Sequence, residues 1–275
     1  MVGTGGDWRV TFRPDIPSPA RIYDYLLGGK DNYPADREAA EEILTAAPDA
    51  RTSALENRAF MRRAVRYLAA EAGIRQFIDI GTGLPTQGNV HEMAQIYAPE
   101  ARVVYVDNDP VVLAHDRSML HGVANTAIIE QELRRPARIL ADGELAKLID
   151  FEEPAGLLLG AIMHFIADAD DPAGLITRLL DGLAPGSYLV LSHGTADSRP
   201  ESAKAERVFD RATARVYLRT RDEVQAMLAG LELIDPGLVW APQWRPDPVA
   251  DSTGDPGRSH VYAVVARKPA RPDGG

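Results

Sequence analysis

The 275 residues contain no cysteine, which excludes disulfide frameworks, thiolate zinc sites and cysteine nucleophiles. A metal would have to rest on His, Asp and Glu, and no spacing of these three types marks a metal site. Positive charge is in deficit: 30 Lys and Arg face 40 Asp and Glu, a formal net charge of −10. That balance disfavours nucleic acid and anionic membrane as partners, since both require a basic footprint. Long apolar runs are missing too. None approaches the roughly 18 residues of a membrane span, and residues 1–8 have neither the basic region nor the apolar stretch of a secretory signal. A cytoplasmic protein is expected. At about 150 residues per domain, the length admits one enlarged α/β domain or two smaller ones.

What the chain does contain falls into three stretches. Residues 1–73 read as an N-terminal arm and helical cap: a Gly- and Pro-rich arm over 1–17, then helices over 19–27, 34–47 and 52–72. Ser18-Pro19 supplies a cap residue and a first-turn proline, while Gly28-Gly29 and Gly73 supply stops. On the third helix Met61, Ala64, Val65 and Leu68 fall at i, i+3, i+4 and i+7, an apolar stripe that needs a core. Residues 74–268 then alternate short apolar runs (76–80, 102–106, 126–130, 156–162, 186–192 and 261–266) with helical segments (87–98, 110–121, 136–149 and 172–182). That rhythm belongs to a doubly wound, largely parallel sheet covered on both faces. A long polar helix over 200–217 and a shorter one over 220–229 are expected before the last strand. The tail 269–275 reads as disordered.

The first strand, Phe77-Ile78-Asp79-Ile80, opens into Gly81-Thr82-Gly83 before a helix, the place where doubly wound folds bind ligands. A third glycine at position 86 would complete a dinucleotide fingerprint. Leu84-Pro85-Thr86 stands there instead, and no Lys-Ser or Lys-Thr pair makes a phosphate loop. The glycine pair alone is equally a tight turn. Asp107 adds weight, because it closes the second strand, one helix and one strand after Gly81, so the two loops are neighbours. Its two acceptor oxygens suit a ribose diol. Asp109-Pro110 reads instead as a helix cap with a first-turn proline.

These residues resemble the class I S-adenosylmethionine-dependent methyltransferases, and more closely the actinobacterial S-adenosyl methyltransferase family once catalogued as a domain of unknown function. The likeness extends over nearly the whole chain. Its marks are Ser18-Pro19-Ala20-Arg21-Ile22-Tyr23-Asp24-Tyr25-Leu26-Leu27-Gly28-Gly29-Lys30-Asp31-Asn32, the loop from Asp79 to Thr86, Tyr105-Val106-Asp107-Asn108-Asp109-Pro110, Ala161-Ile162-Met163-His164-Phe165 and Trp244-Arg245-Pro246-Asp247. The resemblance implies an α/β fold, a three-layer Rossmann-like sheet of order 3-2-1-4-5-7-6 with an antiparallel final strand, preceded by the helical cap. It implies S-adenosyl-L-methionine as cofactor, with Asp79, Gly81 and Gly83 along the methionine portion and Asp107 on the ribose. Thr82 and Asn108 are counted with them as cofactor-binding. An acid after the third strand is implied at the adenine amine; Glu132 occupies that place, with neighbouring Gln131 as the alternative.

The chemistry agrees with these residues, because a sulfonium cation without phosphate suits an acid-rich pocket that lacks a lysine clamp. The implied activity is methyl transfer to an unknown small-molecule acceptor. A regulatory protein that binds the cofactor without a productive acceptor site would share the fold. A nicotinamide-dependent oxidoreductase is disfavoured by Thr86.

Acceptor-side candidates follow the fourth and fifth strands. His164 is the candidate general base, with His193 beside it, and both are equally suited to capping a strand end through backbone hydrogen bonds. In the segment 23–33 the paired glycines explain a helix end, while Tyr23, Lys30, Asp31 and Asn32 suggest a lid, with Tyr23 and Asn32 as cofactor contacts. Arg58, Arg62 and Arg66, with Arg63 beside them, and Arg207, Arg211 and Arg215 recur every fourth residue. Such rows are read first as solvated faces paired with acids, and only then as anion or subunit contacts; a homodimer is compatible. The aromatic turn from Trp240 to Trp244 is read as core packing.

Overall fold

Five apolar runs become the parallel strands β1 (Gln76–Ile80), β2 (Arg102–Asp107), β3 (Thr126–Glu130), β4 (Gly156–Gly160) and β5 (Tyr188–Gly194). Three more follow: the short β6 (Glu232–Leu233) and β7 (Val239–Trp240), and β8 (Val261–Arg267), which runs antiparallel to β5. The sheet order is β3-β2-β1-β4-β5-β8-β6, and β7 also pairs with β8. Taken as one edge strand interrupted by the turn at Gly237, β6 and β7 give the expected 3-2-1-4-5-7-6 order. The computed structural model describes residues 12–84, 88–247 and 254–270. The first eleven residues of the expected arm, Pro85 to Gln87 of the glycine loop and residues 271–275 of the tail lie outside the described residues.

Helices cover both faces. Alternate strand residues Ile78, Ile80, Val104, Val106, Leu157 and Leu159 pack with Leu175, Ile176, Leu179 and Leu180 of α8 (Pro172–Asp181). The opposite set, Phe77, Val103, Tyr105, Leu158 and Val190, packs with Phe60, Ala64 and Val65 of α3 (Ala50–Arg66), with Leu68 in the turn that continues it, and with Val90, Met93 and Ala94 of α4 (Val90–Tyr97). The period-two alternation of a strand therefore sends Asp79 and Asp107 to the α3 side of the sheet. The helix α3 runs against the strands: Leu68 lies beside Gly156 at the start of β4, and Met61 beside Gly160 at its end. Its first turns stand above the carboxyl ends of the strands.

The cap helices α1 (Pro19–Leu26) and α2 (Pro34–Ala46) form their own apolar cluster through Ile22, Leu26, Ala39, Ala40 and Ile43. A fully buried ion pair joins them, Arg21 Nε to Asp36 Oδ2 at 2.7 Å. Asp36 also accepts hydrogen bonds from Ser18 N and Tyr33 N, so its charge is compensated on all sides. Residues 13–16 are pinned to Arg21 through the carbonyls of Arg13 and Ile16, so this part of the arm is docked. The Ser18 hydroxyl reaches Asp109 at 2.8 Å, and Asp109 caps α5 (Pro110–Met119) as expected.

Three helical expectations are corrected. Residues 136–149 split into α6 (Pro136–Leu140) and α7 (Gly143–Leu148), because the Asp142 side chain caps the second helix. The region 200–217 forms a 3₁₀ segment (Pro200–Ala205) and the short α9 (Glu206–Phe209), not one long helix. Beyond α9 the backbone donors find non-helical acceptors: Thr213 N bonds Pro17 O, Tyr217 N bonds His164 O and Leu218 N bonds the Glu206 carboxylate. The third helix closes in a wider π turn over Tyr67–Glu71 before Gly73. The 220–229 helix is α10 (Arg221–Ala226).

Candidate functional site

The carboxyl ends of β1 and β2 lie side by side, with Ile80 paired to Val106 and Gly81 N bonded to Val106 O at 2.8 Å. Gly81 and Gly83 take positive φ, +75° and +65°, which glycine adopts without strain. A Cβ on Gly81 would stand 2.6 Å from Ile162, whereas no atom of the described residues lies within 4 Å of one on Gly83. The first glycine allows a close protein contact.

Around this loop three carboxyl groups gather. Asp107 Oδ1 accepts from Asn108 N and Asp109 N, both at 2.8 Å, and Oδ2 accepts from Gly83 N at 3.2 Å. Burial lifts its pKa to about 6 despite those three donors. Asp79 is about nine-tenths buried and takes no hydrogen bond from the described residues. Burial first, then the charge of Asp107, lifts it to about 7, while Arg58 pulls the other way. The third, Asp116 of α5, lies 3.0 Å from the Thr82 hydroxyl and is raised to about 7, again mainly by burial. Sequence reasoning missed Asp116. Its signal was an acid on the apolar face of α5, four residues after Val112 and three after Leu113.

Beyond β3, Glu132 Oε2 accepts from Asn108 Nδ2 at 2.7 Å, and Oε1 accepts from Arg134. Both oxygens are in use. Gln131 differs: its amide nitrogen donates to Asp142 at 2.8 Å, and its buried carbonyl oxygen has no partner among the described residues.

Tyr23 and Asn32 are occupied inside the cap. The Tyr23 hydroxyl donates to Ala54 O and accepts from Asn57 Nδ2, and the Asn57 oxygen accepts from Ser192 at the end of β5, at 2.6 Å. Asn32 donates to Asp24 and to Gly29 O and accepts from Arg37. Buried Asp24 organises the whole turn. It also accepts from Asp31 N, and its carboxylate fills the place of any Cβ on Gly29. The tip still leans toward the site, with Asp31 4.0 Å from His115 of α5.

His164 Nδ1 accepts from Gly194 N at 3.2 Å, so its proton sits on Nε2. His193 holds the opposite tautomer: Nδ1 donates to Gly194 O, and Nε2 accepts from Arg219 at 3.0 Å. The rings are 5.7 Å apart. Burial, reinforced by each other and by Arg219, lowers His164 to about 3, and burial with Arg219 lowers His193 to about 4. Arg219 further bonds Met163 O, Ile166 O and Asp168, which fixes the loop that carries His164.

The arginine rows resolve individually. Arg63 is buried and donates to the carbonyls of Ala241 and Trp244; Arg66 pairs with Asp247 at 2.7 Å. Arg211 pairs with Glu42, and Arg215 with Asp210. Trp244 is core, edge-on to Phe60 and Tyr67. Among the described residues no cluster of His, Asp and Glu could hold a metal ion, and no helix is long and apolar enough to cross a membrane.

A family model described as S-adenosyl methyltransferase matches residues 10–269. The chain belongs to this family. A solved DUF574 family protein from Streptomyces avermitilis is 44% identical, superposes with a TM-score of 0.90, and the match covers 94% of this chain and 100% of that one. A candidate methyltransferase from Thermobifida fusca is 40% identical, with a TM-score of 0.87 over 93% of this chain and 96% of that chain. An O-methyltransferase family protein from Burkholderia thailandensis, 16% identical with a TM-score of 0.54 over 92% of this chain and 72% of that one, shares the fold. No curated relative matches the sequence. The protein is thus an S-adenosylmethionine-dependent methyltransferase. Its residues fit that cofactor: a glycine at position 83 with no described atom against its Cβ position, a buried carboxyl at Asp79 that takes no hydrogen bond from the described residues, and a buried Gln131 oxygen without a partner among the described residues that suits an amine.

Proposed function

We propose that this methyltransferase acts on a small molecule whose attacking atom already carries a free lone pair at neutral pH. S-adenosylmethionine, when bound, supplies a methyl group on a positively charged sulfur. Asp79 offers negative charge to the amino-acid end, and Asp107, held by three backbone N–H groups, accepts from the ribose hydroxyls. Thr82 donates to Asp116 and Asn108 donates to Glu132, which orients both side chains beside those two acids. The Gln131 carbonyl oxygen takes the adenine amine, in preference to Glu132, whose oxygens are already engaged.

The tautomers of the two histidines carry the acceptor argument. Each ring has its lone pair already bonded, and pKa values of about 3 and 4 are far from those of an effective base at pH 7. His164 therefore serves the acceptor as a hydrogen-bond donor through Nε2, and rate comes from alignment in a closed pocket. The net charge of −10 favours a small acceptor over nucleic acid.

Incubating the protein with methyl-labelled cofactor and a fractionated bacterial extract tests this reading. Label is expected in the small-molecule fraction. Label confined to RNA, DNA or protein overturns it.

A further inference from the structure

The amino ends of the parallel strands, on the far side of the sheet from the glycine loop, hold a cavity of about 500 Å³. That is the size of a small-molecule pocket. It opens between the starts of β1, β2 and β5 and the end of β8, and Arg75, Arg102 and Arg267 line it against a single carboxylate, Glu153. Tyr188 and Pro154 supply apolar wall. In a chain whose net charge is −10, this is a local excess of positive charge. The floor is rigidly held. Gln76 is 1% exposed, and its amide is saturated: Nε2 donates to Asp150 O at 2.6 Å and Glu153 O at 2.8 Å, while Oε1 accepts from Asp150 N at 2.9 Å and Arg102 Nη2 at 3.1 Å. A buried amide so satisfied fixes its partners, here the 150–153 loop and the Arg102 guanidinium. Arg75 is anchored through Nη1 to the carbonyls of Ala69 and Ile74, and its Nε pairs with exposed Glu100. Arg267 behaves differently. Its register partner on β6 is Glu232, a neighbour of opposite charge, yet among the described residues the Arg267 side chain forms no ion pair or hydrogen bond. Its guanidinium turns instead across Gly186, with Nη2 3.5 Å from the position a Cβ there would take and Pro154 3.6 Å from the same point.

We propose that this cavity binds a small organic anion, which presents a phosphoryl or carboxylate group to Arg102 and Arg267 and an apolar body to Tyr188 and Pro154. Guanidinium groups suit the task because each planar fork can give two charge-assisted hydrogen bonds to one oxyanion. Glu153 opposes the ligand and sets a limit on its affinity. Gln76 and Gly81 stand at opposite ends of β1, about 17 Å apart at the rise of a strand. The anion site is therefore separate from the cofactor site, and both can be filled at once.

Amide NMR titration with phenyl phosphate and with benzoate, in excess S-adenosylhomocysteine, tests the site. At least one probe should shift the Gly73 and Gly186 amides saturably, with a dissociation constant of about 1 mM or tighter. The tighter of the two identifies the charged group as phosphoryl or carboxylate. Inorganic phosphate should bind on the order of tenfold more weakly than phenyl phosphate, and equal affinity would show that the apolar wall takes no part and overturn an organic ligand. Arg267→Met, at an exposed position, should weaken the better probe by on the order of tenfold, and Glu153→Gln should tighten it. Arg207→Met, which removes the same charge from α9, should leave it unchanged. Absence of saturation with both probes, shifts confined to the carboxyl ends of the strands, or equal losses in Arg267→Met and Arg207→Met overturn the proposal. Should Arg267→Met fail to fold, Glu153→Gln decides, and an affinity that does not rise there sinks the site.

Discussion

Asp107 Oδ2 accepts a 3.2 Å hydrogen bond from Gly83 N, joining the end of β2 to the loop after β1. With two more backbone donors on Oδ1, the carboxylate is oriented before any ligand arrives. Replacing it with alanine removes the two oxygens proposed to accept from the ribose, while Asp109 continues to cap α5. Asp107→Ala should bind S-adenosylhomocysteine on the order of 100-fold more weakly, as charged hydrogen bonds contribute about 1.5–3 kcal/mol each. Isothermal calorimetry reads this directly, and an affinity within threefold of wild type would contradict the assignment.

The two glycines of the loop should separate stability from binding. Gly81→Ala combines an unfavourable φ with a Cβ 2.6 Å from Ile162, and is expected to cost roughly 2 kcal/mol or more in urea denaturation. Gly83→Ala meets no atom of the described residues within 4 Å, so its expected stability cost is the backbone term of about 1–2 kcal/mol. Its methyl group projects into the ligand space. Cofactor affinity should therefore fall more in Gly83→Ala than in refolded Gly81→Ala, and the reverse order would show that the open space is not the pocket.

Asp79, Asp107 and Asp116 make the free protein sensitive to pH in an unusual direction. Each is a carboxyl whose pKa is higher in the folded state than the ordinary 3.8, at about 7, 6 and 7. The native state consequently binds more protons than the unfolded chain between about pH 4 and 7. Stability contributed by these groups is full below pH 4 and is lost as pH rises through 6 to 7. Melting temperature measured across that window should carry this falling component, and Asp116→Asn should flatten it. A cationic ligand favours the ionised acids, so binding should release protons, seen as a dependence of calorimetric heat on buffer ionisation enthalpy.

The strand order and the placement of Asp79, Gly81, Gly83 and Asp107 were legible because local patterns set them: buried apolar runs, positive-φ glycines and an acid at a strand end. Residues 200–217 were not. Their helical propensity is overridden by Pro17 O and His164 O, acceptors that no local window contains. The hydrogen bonding of the loop 28–32 was not legible for a related reason. Its lysine, acid and amide look like ligand groups, yet Asp24, buried one turn earlier, already collects Asp31 N and Asn32 Nδ2.

The Arg21–Asp36 pair should dominate the stability of the cap. Asp36→Ala leaves the Arg21 guanidinium buried without a counter-charge and removes the acceptor of Ser18 N and Tyr33 N. A loss of about 3–5 kcal/mol is expected in chemical denaturation. A loss below about 1 kcal/mol would mean that the cap contributes little to the cooperative unit.

The histidine tautomers can be observed without knowing the acceptor. Nitrogen NMR should find His164 protonated at Nε2 and His193 at Nδ1, with neither ring gaining a proton above about pH 5, because burial and the Arg219 charge oppose a second proton. A midpoint between pH 6 and 7 for His164 would restore it as a base. If instead it stays neutral, the side chain's contribution is the Nε2 donor, and that has a mutational signature. Glutamine can present an amide N–H near the Nε2 position, so His164→Gln should retain much of the transfer rate while His164→Ala loses it, and the rate should not follow a histidine titration in either enzyme. Equal loss in both variants, together with a rate that rises through pH 6–7 only in the wild type, would mean that a proton is transferred.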